Sequence, residues 1–302
     1  MRIGASLTSA HPSVDGREGA RRMIERTRAA RAAGLWCLTV GDHHANRRPY
    51  FQNTPILGRL LAEWGDDRPA GCLFLVPLWN PVLMAEQIGT LATLAGEPFI
   101  IQTGIGQPAD RAAMGTDGRG RGRLLDETIA VVDALLAGER VDSAFYGLPG
   151  ATVAPLPPGP VEWWIGASSD AGIDRAARVG DCWYAEPGLT VTTAAERMAF
   201  YLGRCAHHGR SPVRVPLRRD VLIAETDAEA HRLVAPLLAA GYRGIDPAAL
   251  AFGSPATVAE QLAAFGPLGF TDIIVRQMAV DHAAVLRSYA LLGEVVERLE
   301  EP

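Results

Sequence analysis

The chain of 302 residues is 48% hydrophobic and 21% charged and carries a formal net charge of −5. That composition excludes a disordered or fibrous protein and supplies enough apolar matter for one large core. The negative balance argues against nucleic acid or an anionic membrane as a partner and favours a small-molecule substrate. All 29 basic residues are arginine, which excludes lysine chemistry: no Schiff base and no Walker-type phosphate lysine.

No run of about 18 apolar residues is present, and Met1-Arg2-Ile3-Gly4-Ala5-Ser6 enters a strand-like segment without the pattern of a signal peptide. A cytoplasmic location is therefore expected. Cys37, Cys72, Cys182 and Cys205 are scattered without a Cys-x-x-Cys pair. Buried free thiols are expected rather than a disulfide framework or a zinc site.

In chain order, Arg2 to Leu7 reads as a first strand, followed by an amphipathic helix from Arg17 to Ala33 that ends at Gly34. Leu35 to Gly41 is the second strand, Pro55 to Glu63 a helix, and Ala70 to Val76 an all-apolar third strand. Asn80-Pro81 supplies an N-cap and a preset first helical residue for a helix to Ala95. Phe99 to Gly104 is the fourth strand and Arg123 to Ala137 the next helix. Val141 to Pro160 contains five prolines and is expected to be a surface excursion without lasting regular structure. Beyond it, Glu162 to Gly166, Asp181 to Ala185, Leu217 to Ala224 and Thr271 to Arg276 read as strands five to eight. Helices at Asp170 to Val179, Thr193 to Ala206, Thr226 to Ala240, from Ser254-Pro255 and at Asp281 to Leu299 alternate with them. Eight strands alternating with helices imply an α/β fold with a parallel sheet closed as a (β/α)8 barrel, one domain over residues 1–302.

The segment Trp36 to His44 carries the strongest chemical signal, because an apolar run stops at three consecutive ionisable residues, Asp42, His43 and His44. A buried parallel strand would deliver them to the C-terminal face, where barrels keep their chemistry. A neutral imidazole exchanges protons near pH 7. Asp42 is expected to orient a histidine or bond backbone amides. A metal site is disfavoured because Ile3 to Leu7 lacks the His-x-His of metallohydrolase barrels.

At Val40-Gly41-Asp42-His43-His44, along Pro81 to Ala95 into Gln102-Thr103-Gly104-Ile105-Gly106, and through Trp164 to Ser169, Ala176 to Trp183 and Gly253 to Leu262, the chain resembles the bacterial luciferase-like oxidoreductases. The resemblance implies a TIM barrel binding coenzyme F420, a deazaflavin, or FMN at its C-terminal mouth. It places His43 at the reactive edge of the cofactor ring and the cofactor phosphate at Gly166-Ala167-Ser168-Ser169. Gly104 and Gly106 would let the cofactor approach the backbone closely. A non-prolyl cis peptide at Leu73–Phe74 would stand behind the ring of a deazaflavin. Gln107 occupies a place where FMN enzymes of the family often carry a phosphate-pairing arginine and the sugar-phosphate dehydrogenase branch a catalytic glutamate, and this departure tips the cofactor towards F420. Arg47 stands near the place of that branch's tryptophan.

The implied activity is hydride transfer to or from a small organic substrate, for example at a C=N or C=C bond. Alternatives are an FMN-dependent monooxygenase fed by a separate reductase and a flavin binder without turnover. Gly118 to Gly122 could grip an anionic cofactor tail or be a loop, and Arg47 to Phe51 could line a substrate pocket or cap the barrel. His207-His208 reads as a solvated helix end, and Trp163, Trp164 and Trp183 as core or pocket walls. Small apolar residues in Ala85 to Ala95 and Ala228 to Ala240 suggest a homodimer through helices near the second and third strands.

Overall fold

The computed structural model describes residues 1–45, 49–116, 120–278 and 280–300. Its strands are β1 (Arg2–Leu7), β2 (Leu38–Val40), β3 (Pro69–Leu75), β4 (Gly96–Gly104), β5 (Val141–Ser143), β6 (Leu148–Ala151), β7 (Val161–Gly166), β8 (Cys182–Tyr184), β9 (Pro216–Ile223), β10 (Ala251–Gly253) and β11 (Asp272–Gln277). Between them lie α1 (Gly16–Ala32), α2 (Asn53–Trp64), α3 (Pro81–Ala92), α4 (Pro108–Ala113), α5 (Arg121–Leu136), α6 (Asp170–Val179), α7 (Val191–His207), α8 (Asp227–Ala239), α9 (Pro255–Ala263) and α10 (His282–Glu300).

Nine strands form one curled parallel sheet in the order β10-β9-β11-β1-β2-β3-β4-β7-β8. Beyond the end of β8, the Ala185 amide donates to the Pro216 carbonyl at 2.9 Å and its carbonyl accepts from Arg218 at 3.0 Å, which brings the far edge of the sheet against β9. Several helices begin where short polar side chains supply caps: Asn80 accepts from the Val82 and Leu83 amides, Thr226 from Glu229 and Ser254 from Thr257. The apolar faces of helices and strands meet in one large core running from Ile3 to Val295. Inside the curl lies a smaller cluster of Cys37, Ile100, Trp164, Cys182 and Ile274, with Trp36 and Tyr184 against it. Gly4 belongs to this layer, because a Cβ there would stand 2.3 Å from the Cys37 sulfur. All four cysteines are buried and free.

Three expectations change. Val141 to Pro160 does hold regular structure, the antiparallel ribbon of β5 and β6, and Pro149 is accommodated in a two-stranded edge. The Leu73–Phe74 bond is not cis: the described cis bonds are Glu97–Pro98 and Ala154–Pro155. β3 runs through Leu73 and Phe74 in unbroken register with Gln102 and Thr103 of β4. A non-prolyl cis bond costs about 3–4 kcal/mol and needs a surround that over-determines it. Finally, β10 and α4 have no counterpart in the sequence reading, because three apolar residues, or six residues after Gln107, are too short to show a period.

Candidate active site

The strand ends open onto a cavity of about 430 Å³ whose lining includes Asp42, His43, Tyr50, Leu73, Gly104, Gly106, Gln107 and Asp110. A second cavity of about 320 Å³ adjoins it, lined in part by Thr103, Gly166, Ala167 and Ser168. Leu73, Gly104, Gln107, Tyr184 and Arg218 border both, so the two are lobes of one cleft.

The residues after β2 divide their work by direction. His43 faces the first lobe, its ring edge-on to Tyr50 at 5.4 Å, and its Nδ1 meets Asp110 Oδ1 at 2.9 Å. With a carboxylate on Nδ1, the Nε2 atom is the nitrogen left to a bound molecule. His44 turns away to stand edge-on to Trp79, and its Nε2 lies 3.1 Å from Asp42 Oδ1. The hydrogen bond to Asp42 raises the pKa of His44 above the usual imidazole range. Asp42 also accepts from the Leu75 amide and from Trp79 Nε1, each at 2.8 Å. It therefore ties the end of β2 to the end of β3 and engages His44, not His43.

Asp110 was not singled out in the sequence. It sits in the first turn of α4, buried, and its other oxygen accepts from the Gln107 amide at 3.0 Å. The signal was present as Gln107-Pro108-x-Asp110, an N-cap, a first-turn proline and an acid three residues on. Arg111, one residue further, donates to the Gly106 carbonyl and so closes the turn beside the cavity. Gly106 has φ +69°, a conformation that favours glycine.

In the second lobe, Gly166 is held where a Cβ would lie 2.6 Å from the Thr103 carbonyl oxygen, so the backbone there stays bare. Ala167 and Ser168 follow it, while Ser169 caps α6 by accepting from the Gly172 amide. Ser169 is thus an N-cap and is absent from the lining. Arg197, not foreseen either, donates to the Ser168 carbonyl and to Asp170, both at 2.8 Å, which places a cation beside this turn. Phe74 is fully buried against Trp79 and does not reach the cleft, in contrast to half-buried Leu73. The alternation of side chains along a strand makes only one of two neighbours available.

Along the seam of the lobes, Gln102 Nε2 and Thr103 Oγ1 are buried without a protein partner among the described residues. Buried polar atoms are normally satisfied, so this seam is built to receive a polar molecule. The chemistry and placement of these donors fit the polar edge of a flavin or deazaflavin ring, with the bare Gly166 to Ser168 turn beyond it for a phosphate.

Of the other motifs, Arg47 and Arg48, like Gly118 and Arg119, lie outside the described residues. Tyr50 lines the cavity and Phe51 packs on the core. His208 is not simply solvated: its Nε2 meets Asp174 at 2.8 Å beside Arg204. Trp164 lies inside the curl, and Trp163 and Trp183 are in the core.

A curled parallel sheet with helices outside it and a cleft at its strand ends is an α/β scaffold shared by many proteins, and sequence comparison fixes the family. The family described as luciferase-like monooxygenase matches residues 1–251, and the chain belongs to it. An uncharacterized protein of Mycobacterium tuberculosis (strain ATCC 25618 / H37Rv) is 34% identical over 183 residues, 53% of this chain and 63% of that protein. The F420-dependent glucose-6-phosphate dehydrogenase of the same strain is 28% identical over 173 residues, 53% of this chain and 52% of that enzyme. The matches thus span roughly half to under two thirds of these relatives. The oxygenating constituent of 3,6-diketocamphane monooxygenase from Pseudomonas putida, solved with FMN, superposes with a TM-score of 0.82 at 18% identity over 100% of this chain and 99% of that one. That likeness is one of fold. No helix among the described residues is long and apolar enough to cross a membrane.

Proposed function

We propose that the protein is an F420-dependent oxidoreductase that transfers a hydride to or from a small organic substrate. The carrying observation is the two-lobed cleft: the His43–Asp110 pair stands in one lobe, the bare Gly166 to Ser168 turn in the other, and unpartnered donors between them. When bound, the cofactor supplies the hydride chemistry. The chain's own part is to orient it and to hold or release a proton at His43 Nε2, with Asp110 fixing the ring through Nδ1. Ser168 and the first-turn amides of α6, beside Arg197, would meet the phosphate.

The order β1-β2-β3-β4-β7-β8-β9-β11, tied at Ala185, supports reading the whole as one eight-stranded barrel with β10 as an accessory strand. The preference for F420 over FMN rests on Gln107 standing where a phosphate-pairing arginine would help FMN. The likeness to the FMN-bound monooxygenase favours a second reading, an FMN-dependent monooxygenase supplied by a separate reductase. Fluorescence titration with F420 and with FMN tests the order. Tighter binding of F420 is expected, and equal or tighter binding of FMN reverses it. Oxygen uptake with reduced FMN would identify the monooxygenase, and binding without any turnover a flavin-binding protein.

A further inference from the structure

The mouth of the cleft holds a charged cluster that the hydride-transfer reading leaves unused. Arg218 and Asp220 are two residues apart on β9 and so project to the same side, Arg276 lies near the end of β11, and Arg243 comes from the turn that follows α8. All three arginines line the His43 lobe. Asp220 is fully buried and accepts from Arg218 at 3.0 Å, from Arg243 at 2.6 Å and from the Tyr242 hydroxyl at 2.9 Å. Burial opposes its ionisation, but the surrounding guanidinium groups outweigh that and hold its pKa below the usual carboxylate range.

Three cations share this one carboxylate. Arg276 donates its Nε to Thr8 Oγ1 at 3.1 Å, and the buried Nε of Arg218 has no partner among the described residues. Burial, then Arg218 and Arg243, push the Arg276 pKa down to about 10. The lobe's other carboxylates are bonded elsewhere, Asp42 to His44 and Asp110 to His43, and neither pairs with these arginines. Arg243 is also held at φ +51°, one of two non-glycine residues in the left-handed region among those described. Such strain persists where the surround enforces it and clusters at ligand sites.

From the unspent guanidinium donors and the uncompensated positive charge on one wall of the His43 lobe, we infer that Arg218, Arg243 and Arg276 form an oxyanion subsite. It holds a carboxylate, sulfonate or phosphate group of the substrate. Planar guanidinium forks match such groups in geometry as well as charge. Arg243 and Arg276 line only the His43 lobe, whereas the Gly166 to Ser168 turn lies in the other, so the two sites serve different anions. The inference rests on the proposed oxidoreductase reading only for what the anion is attached to.

Inorganic phosphate is the probe, titrated calorimetrically into the full-length protein at constant low chloride. Saturable binding is expected, weakened about tenfold or more by Arg243→Gln and by Arg276→Gln, as for the loss of one charge-assisted bond. F420 and FMN affinities in the same proteins are expected to be unchanged. Arg243 lies in an exposed turn, so its variant carries the test should Arg276→Gln lose cooperative unfolding. Absence of phosphate binding in the wild type overturns the inference. So does a parallel loss of cofactor affinity in the variants, which would assign the arginines to the cofactor's own phosphate. Phosphate binding that responds to the substitutions in a protein that takes up neither cofactor would uphold the subsite and overturn the oxidoreductase reading alone.

Discussion

At the scale of single residues, adjacent histidines that look equivalent in sequence acquire opposite situations. His43 faces the cleft with Asp110 behind it, while His44 is turned to Trp79 and bonded to Asp42. His43→Ala is therefore expected to lower turnover by roughly 10² to 10⁴, the range for losing a general acid or base, with cofactor affinity little changed. His44→Ala should cost less turnover, and steady-state rates of the two variants decide whether the roles are assigned the right way round. A third histidine contributes to acid stability. His11 is buried, with Arg26 and Arg22 nearby, and these outweigh its bond to the Thr8 carbonyl, lowering its pKa from 6.5 to about 4. An unfolded chain takes up a proton at this imidazole near 6.5 but the folded chain only near 4, so unfolding binds a proton between those values. The stabilisation is full above 6.5 and lost as pH falls towards 4, by about 3 kcal/mol in all. Urea unfolding from pH 7 to 4 should show a steeper loss for the wild type than for His11→Gln; equal slopes would remove His11 as the cause.

At the scale of elements, the alternation of apolar strands and helices was legible because several helices announce their own start. Asn80-Pro81, Thr226-x-x-Glu229 and Ser254-Pro255 each open a helix at the position the residues indicate. What was hidden depends on contacts between distant segments. β10 exists because Ala251 to Gly253 pair with Val221 to Ile223, and nothing local announces three residues as a strand. Gly71 is similar: a Cβ there would stand 1.9 Å from the Ile100 carbonyl oxygen, so β3 and β4 approach as they do only because this residue is glycine. The candidate site divides along the same line. His43 and Asp42 were visible because they end an apolar run, and Gly104, Gly106 and Gln107 only through the resemblance to the luciferase-like family. Asp110, Arg197, Arg243 and Arg276 reach the cleft or its rim from four separate parts of the chain, and only the curl of the sheet brings them there.

At the scale of the whole molecule, the sheet sorts charge by layer. β9 directs Arg218 to the cleft, with Asp220 buried behind it on the same side, while Arg219, between them, donates to the Pro187, Ala249 and Leu189 carbonyls and stacks over Phe265. At the opposite end of the curl, Arg2 and Arg214 flank the Trp36 ring at 3.9 and 5.0 Å, with Asp272 and Glu162 as their ion-pair partners. The outer surface poses the remaining question. The helix after β3 exposes Leu83 at 56%, and Leu94, just beyond its end, is 50% exposed, although both lie in a segment already rich in small apolar residues. Leaving two such half-exposed side chains in water forgoes roughly 1–1.5 kcal/mol each of burial that a partner surface could recover. The small residues Ala85, Ala92 and Ala95 are themselves buried in the chain's own core, so the face left to a partner is Leu83 and Leu94 with the exposed Thr90 and Thr93. We therefore expect a homodimer through this face, with a mass near twice 32.2 kDa in light scattering at micromolar concentration. Leu83→Asp with Leu94→Asp should shift it to the monomer without lowering cooperative unfolding of the fold. A monomeric wild type, or a dimer indifferent to both substitutions, would remove this face as an interface.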